Sequence, residues 1–204
     1  MKKQLIAIEK SLNSEQASEL VVKLLKQIEE FDEVVDPLKL DKGLKVPDFV
    51  KKNSLSFALY TDGACRGNPG PGSYAYLVQE PTDEILHESA CHSEYTTNNK
   101  MEMSAVVEGL EFLKTSVSPM HTIYVFTDSK YVVDGMKSWI HSWKKRDWKK
   151  ADKKPPENLE LWKSLDQLSQ ICNVEFHWVK GHSGHPQNEY VDGLANKVLD
   201  ENGF

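Results

Sequence analysis

Leu55-Ser56-Phe57-Ala58-Leu59-Tyr60-Thr61-Asp62-Gly63-Ala64 is the stretch on which the reading of this chain turns. A β-type apolar run stops at an acid followed by glycine, the pattern of a strand that delivers a carboxylate to its own C-terminal end. The pattern recurs in Ile123-Tyr124-Val125-Phe126-Thr127-Asp128. Ligands of open α/β sheets bind in the crevice beyond the carboxyl ends of the strands, so Asp62 and Asp128 are expected at one place.

Two further acids lie on predicted helices. Asn98 to Lys114 repeats at 3.6 residues per turn, and Glu102 falls within the stripe formed by Ala105, Val106, Gly109, Leu110 and Leu113. Lys100, Glu108, Glu111 and Lys114 fall elsewhere on the same helix. On a second helix, beginning near His185-Pro186, Asp192 shares an edge with Asn188, Ala195 and Leu199. An acid on an apolar face costs several kcal/mol to desolvate unless something compensates. Any one of the four reads equally well as half of a buried ion pair or as a helix cap. Four that converge cannot all stay ionised and unpaired, and divalent metal is the simple remedy. Metal among carboxylates points to phosphate chemistry.

The order of elements predicts an α/β fold. Strands are expected near Ser56–Asp62, Ser73–Gln79, Glu84–Ser93, Thr122–Thr127 and Val174–Val179. Helices are expected near Asn98–Lys114, Lys130–Lys144, Glu157–Gln170 and His185–Leu199. Gly72 and the Glu80-Pro81-Thr82-Asp83 turn suit an antiparallel meander for the first three strands, and the intervening helices suit parallel pairing for the rest.

Four segments carry a resemblance. Thr61-Asp62-Gly63-Ala64-Cys65-Arg66-Gly67-Asn68-Pro69-Gly70-Pro71-Gly72, Thr96-Thr97-Asn98-Asn99-Lys100-Met101-Glu102, Thr127-Asp128-Ser129-Lys130-Tyr131-Val132 and Trp178-Val179-Lys180-Gly181-His182-Ser183-Gly184-His185-Pro186 occur in this order. From about Ser54 onward the chain thereby resembles type 1 ribonuclease H, its bacterial members above all. The resemblance implies a ribonuclease H-like mixed five-stranded sheet flanked by helices. It also implies an endonuclease that cuts the RNA strand of RNA–DNA hybrids and leaves 5′-phosphate and 3′-hydroxyl ends.

Asp62, Glu102, Asp128 and Asp192 would then hold two Mg²⁺ roughly 4 Å apart, with Mn²⁺ as a possible substitute. His182, between glycines on its loop, would assist proton transfer or product departure, and His185 would be structural. Asn68, Asn98 and Asn99, with backbone from Cys65 and Gly67, would lie along the RNA 2′-hydroxyls, since an amide both donates and accepts. Turn and cap duty is the plainer reading of these asparagines, and Asn98 could cap its helix. Tyr131 and Trp139 would line the channel for the DNA strand, with Thr97 and Asn158 at a DNA phosphate. Two positions depart from the family pattern: Tyr95, where Arg is frequent, and Lys130, where Gln or Met is usual. One phenolic hydroxyl cannot reproduce the bidentate fork of Arg on a phosphate.

Trp139 to Lys154 carries seven Lys or Arg against two Asp inside a chain of formal charge −6. This reversal of sign, at Lys144, Lys145, Arg146, Lys149 and Lys150 in particular, is an electrostatic footprint for phosphate. Trp143 and Trp148 within it read as packing residues. Two other functions stay open for these residues: a hybrid-binding protein without catalysis, or a metal nuclease of this fold that acts on another nucleic acid. The first would lack an acid. The asparagine set and basic segment argue against the second.

With 204 residues and 39% apolar content the chain can bury one substantial core. Cys65, Cys91 and Cys172 form no disulfide or zinc pattern, and no stretch is long and apolar enough for a bilayer, which fits a reducing cytoplasm. Residues 1–53 fall outside the resemblance and read as an extension to a catalytic domain spanning 54–204. Asn13 with Gln16 resembles a capping box, and Ala17, Leu20, Val21, Leu24, Leu25, Ile28 and Phe31 recur at helical spacing. Asp36-Pro37 and Val46-Pro47-Asp48 read as a linker. The extension has no Trp, Tyr or Arg, and ten Lys balance ten Asp or Glu, so docking or self-association is preferred to nucleic-acid binding.

Overall fold

The computed structural model describes residues 43–204, so the helix expected over 13–31 and any self-association through it lie outside the described residues. In chain order the elements are α1 (Asp48–Lys51), β1 (Ser56–Cys65), β2 (Gly70–Gln79), β3 (Ile85–Thr96), α2 (Asn98–Lys114), β4 (Thr122–Thr127), α3 (Lys130–Asp134), a π-helical turn (Gly135–Trp139), α4 (Ile140–Lys144), α5 (Leu159–Leu168), β5 (Asn173–Trp178) and α6 (Pro186–Glu201). The strands form one sheet in the order β3-β2-β1-β4-β5. The meander β1-β2-β3 is antiparallel, and β4 and β5 add in parallel. This is the expected mixed five-stranded architecture.

Alternation along the strands divides the core between the two faces of the sheet. One face presents Leu59, Tyr76, Val78, Ile123 and Val125 to Val106, Leu110 and Leu113 of α2 and to Trp162 and Leu165 of α5. The other presents Ala58, Tyr60, Ala75, Leu77 and Phe126 to Val191 and Ala195 of α6. Fully burying each such aliphatic side chain contributes ~1.5–3 kcal/mol.

The helix expected over Lys130–Lys144 is present, but its middle widens into the π-helical turn. Here Gly135 lies against Trp162, where a Cβ would fall 2.0 Å from the ring. The Trp162 indole thus occupies the space that a side chain at 135 would need.

The second face carries a layer that the linker reading missed. Leu44, Val46 and Val50 are buried with the α6 cluster, and Val46-Pro47-Asp48 leads directly into α1. Residues 43–53 therefore form a strap across the sheet. Pro47 sits just ahead of the first helical residue, where its missing N–H costs nothing, and so it starts a helix there.

Candidate active site

Thr61 and Thr127 are the last parallel pair between β1 and β4, so Asp62 and Asp128 follow them side by side. Asp62 stays in the antiparallel ladder with β2, opposite Ala75, one residue beyond the last pair with β4. Asp128 sits in the turn into α3, where Thr127 Oγ1 accepts a hydrogen bond from Ser129 N and Ser129 Oγ caps the helix at Val132 N. The indole Nε1 of Trp178 donates to the Asp128 carbonyl at 3.0 Å.

Glu102 arrives from the first turn and a half of α2, and Gly63 allows its approach. A Cβ on Gly63 would lie 2.4 Å from the Glu102 backbone nitrogen. The helix is capped by Thr97, whose hydroxyl accepts from Lys100 N, so the cap that Asn98 could have provided belongs to its neighbour. Asn98 is thereby freed to donate from Nδ2 to Glu102 Oε1 at 3.4 Å, while its backbone N–H donates to Asn68 Oδ1.

One carboxylate oxygen from each of Asp62, Glu102 and Asp128 can be chosen so that all lie within 4.8 Å of one another. Asp62 and Glu102 are each 6% exposed. Burial, then the charges of Asp128 and Asp192, pushes Asp62 up to about 8. Burial and the charges of Asp62 and Asp128 hold Glu102 well above the usual carboxylate range. Asp128 is raised mainly by burial. Glu102 Oε2 and Asp128 Oδ1 are buried without a hydrogen-bond partner among the described residues. A set of hard oxygens crowded together with two of them orphaned is the donor set of a hard divalent cation.

Asp192 stands at the rim. It lines the same cleft of about 400 Å³ with Asp62, Gly63, Ala64, Asn98, Glu102, Asp128, His182 and Asn196, but it is not one of the tight trio. Asn196, one turn on, donates to Asp192 Oδ1 at 2.9 Å and to its carbonyl at 3.0 Å. His182 lies beside it, with Nδ1 3.7 Å from Asp192 Oδ2, a side chain 79% exposed and a left-handed backbone. Glu189 Oε1 accepts from Gly184 N and ties that loop to α6. His185 is structural, as expected: it caps α6, and its ring lies against Tyr60 and Phe126. Sequence reasoning misses Asn196, although its i+4 spacing from Asp192 offers the signal.

The predicted substrate contacts fall into two groups. Beside the cleft, Asn98 lines the site, Asn68 bonds to it, Cys65 ends β1, Gly67 lies on the turn that follows and Asn99 on the first turn of α2. Farther along the chain, Tyr131 and Trp139 pack edge to face, and the Tyr131 hydroxyl donates to the Glu157 carbonyl next to Asn158. Trp143 is buried in the core and Trp148 packs against it, which bears out their packing role. Within the basic segment, Lys144 pairs with Asp166, Lys149 with Asp147 and Lys150 with Asp152. Lys145 and Arg146 have no acidic partner among the described residues.

Residues 54–200 match the RNase H family. A ribonuclease H of Legionella pneumophila is 46% identical over 148 residues, covering 72% of this chain and 99% of that protein. One of Pectobacterium atrosepticum is 47% identical over 153 residues, covering 72% and 94%. Among solved structures, LC9-RNase H1, a type 1 RNase H with the type 2 active-site motif, matches at 34% identity and a TM-score of 0.64, over 73% of this chain and 74% of that one. LC11-RNase H1 in complex with RNA/DNA hybrid matches at 25% identity and a TM-score of 0.57, over 72% and 98%. The chain belongs to the ribonuclease H family. No helix among the described residues is long and apolar enough to cross a membrane.

Proposed function

We propose that this protein hydrolyses the RNA strand of RNA–DNA hybrids as an endonuclease and leaves 5′-phosphate and 3′-hydroxyl ends. The observation that carries the reading is the trio Asp62, Glu102 and Asp128, drawn within 4.8 Å in a chain of this family with two carboxylate oxygens left unpartnered. Those three with Asp192 would hold two divalent cations, Mg²⁺ or in its stead Mn²⁺, whose chemistry is activation of water and stabilisation of the leaving 3′ oxygen. Asp62 and Glu102, fixed on a paired strand and a capped helix, set the floor of the site before substrate arrives. His182, exposed at the rim beside Asp192, moves a proton to or from water there.

Asn68, Asn98 and Asn99, with the backbone of Cys65 and Gly67, read the 2′-hydroxyl that separates RNA from DNA. Tyr131, Trp139, Thr97 and Asn158 receive the DNA strand, and Lys145 and Arg146 lead the basic segment's contact with phosphate. The catalytic domain comprises residues 54–204 with the packed strap, residues 1–42 form the extension, and the protein works in the cytoplasm.

The test is a labelled hybrid incubated with Mg²⁺ or with EDTA beside matched RNA duplex, DNA duplex and single strands. Cleavage of the hybrid's RNA strand alone, abolished by EDTA and by Asp128→Asn, is expected. Cleavage of another substrate in preference would favour a nuclease of different specificity.

A further inference from the structure

The strap lies before the family match at 54–200, yet buried polar side chains of the matched domain bind its backbone residue by residue. Gln79, 0% exposed, donates from Nε2 to the Leu44 carbonyl at 2.9 Å and to the Asp83 carbonyl at 3.0 Å. Gln187, 2% exposed, donates from Nε2 to the Lys45 carbonyl at 2.9 Å and to Gln79 Oε1 at 3.2 Å. Asp83 accepts from Val46 N at 2.8 Å, and its other oxygen takes Lys51 Nζ at 2.6 Å. Side-chain amides and a carboxylate thus serve the strap as a partner strand would, and a buried amide left half-bonded is costly.

Gln187 is the second residue of α6. Five residues further along the same helix stands Asp192, and two residues before it His185 closes the loop that carries His182. Whatever fixes Gln187 fixes the rim of the cleft. We propose that Gln187 is a positioning residue through which the strap, at the Lys45 carbonyl, sets Asp192 and the His182 loop for metal binding.

The inference rests on the metal-site reading above, and its test does not depend on cleavage. In the full chain, Gln187→Met keeps the buried volume and removes the bonds. Hydrogen exchange should then show weaker protection at residues 44–46 and at the start of α6. Calorimetry with Mg²⁺ alone should show affinity weakened by roughly 2- to 30-fold, the range for coupling through a packed network. Asp83→Gly loosens the strap from its far end at a surface turn whose φ of 72° suits glycine, and should shift Mg²⁺ affinity in the same direction. Weaker strap protection in both variants with unchanged Mg²⁺ affinity would reduce the strap to a cover and overturn the proposal. So would failure of Asp83→Gly to move affinity if Gln187→Met does not fold. A wild-type chain that binds Mg²⁺ but cleaves no hybrid would defeat the enzymatic reading and leave this one standing.

Discussion

Gly181 stands directly against Asp128: a Cβ at position 181 would lie 2.3 Å from Asp128 Oδ2. The glycine of the His182 loop therefore holds open the space that the carboxylate occupies. In Gly181→Ala either the loop or Asp128 must move, and a misplacement near 1 Å at a reacting centre costs on the order of 10²-fold. Steady-state kinetics should show kcat falling by about that factor with the melting temperature little changed. Equal kcat would mean the loop absorbs the methyl group freely.

Asp62→Asn should abolish cleavage and at the same time stabilise the metal-free protein. The Asp62 carboxyl, at about 8 in the fold against 3.8 as its ordinary value, holds a proton that the unfolded chain releases. The native state is then the more protonated one between these values, so its stability is greatest at the acid end and falls as pH rises through the window. Asparagine removes this dependence. Thermal unfolding in EDTA at pH 8 should rise by several degrees, at about 2–4 °C per kcal/mol for a domain of this size, and the gain should shrink toward pH 5. No gain at pH 8 would mean that Asp62 is stabilised by contacts other than those described.

Asn196→Ala frees Asp192 from its two hydrogen bonds one turn away. Outer partners of metal-binding carboxylates typically govern affinity by 10–100-fold. The Mg²⁺ concentration for half-maximal cleavage should rise toward the lower end of that range, because Asp192 is a rim residue, while kcat at saturating metal stays near the wild-type value. A fall in kcat alone would assign Asn196 to substrate.

Lys145→Ala with Arg146→Ala should weaken hybrid binding and flatten its dependence on salt, by about one unit of log–log slope for each phosphate no longer neutralised. Lys144→Ala should do less, because that cation is already paired with Asp166. The measurement is binding in EDTA across a salt series. A slope unchanged in the double variant would place the DNA strand elsewhere.

Apolar β-type runs that stop on Asp62 and Asp128, and a 3.6 period that puts Glu102 on the apolar face of its helix, follow from backbone geometry, so the sheet and the trio are legible in the residues. The rim is less so: a helix projection says which edge Asp192 occupies but not how far that helix stands from β1. At the start of the π-helical turn Gly135 meets Trp162 from a distant element, a contact that no local pattern carries. Thr97 and Asn98 both suit a cap, and the choice follows from the bonds of Asn98 to Asn68 and Glu102. The strap is hidden because four helical residues have no period of their own, and Leu44, Val46 and Val50 gain their meaning from an apolar face supplied elsewhere.

Asp62 is anchored in the sheet, paired with Ala75 of β2 and one residue past the last pair of its strand with β4. His182 and Asp192, by contrast, hang from one loop and one helix. On the proposed reading, any fit to the shape of the substrate falls to these outer residues, while the innermost oxygens keep the spacing that sheet and helix give them.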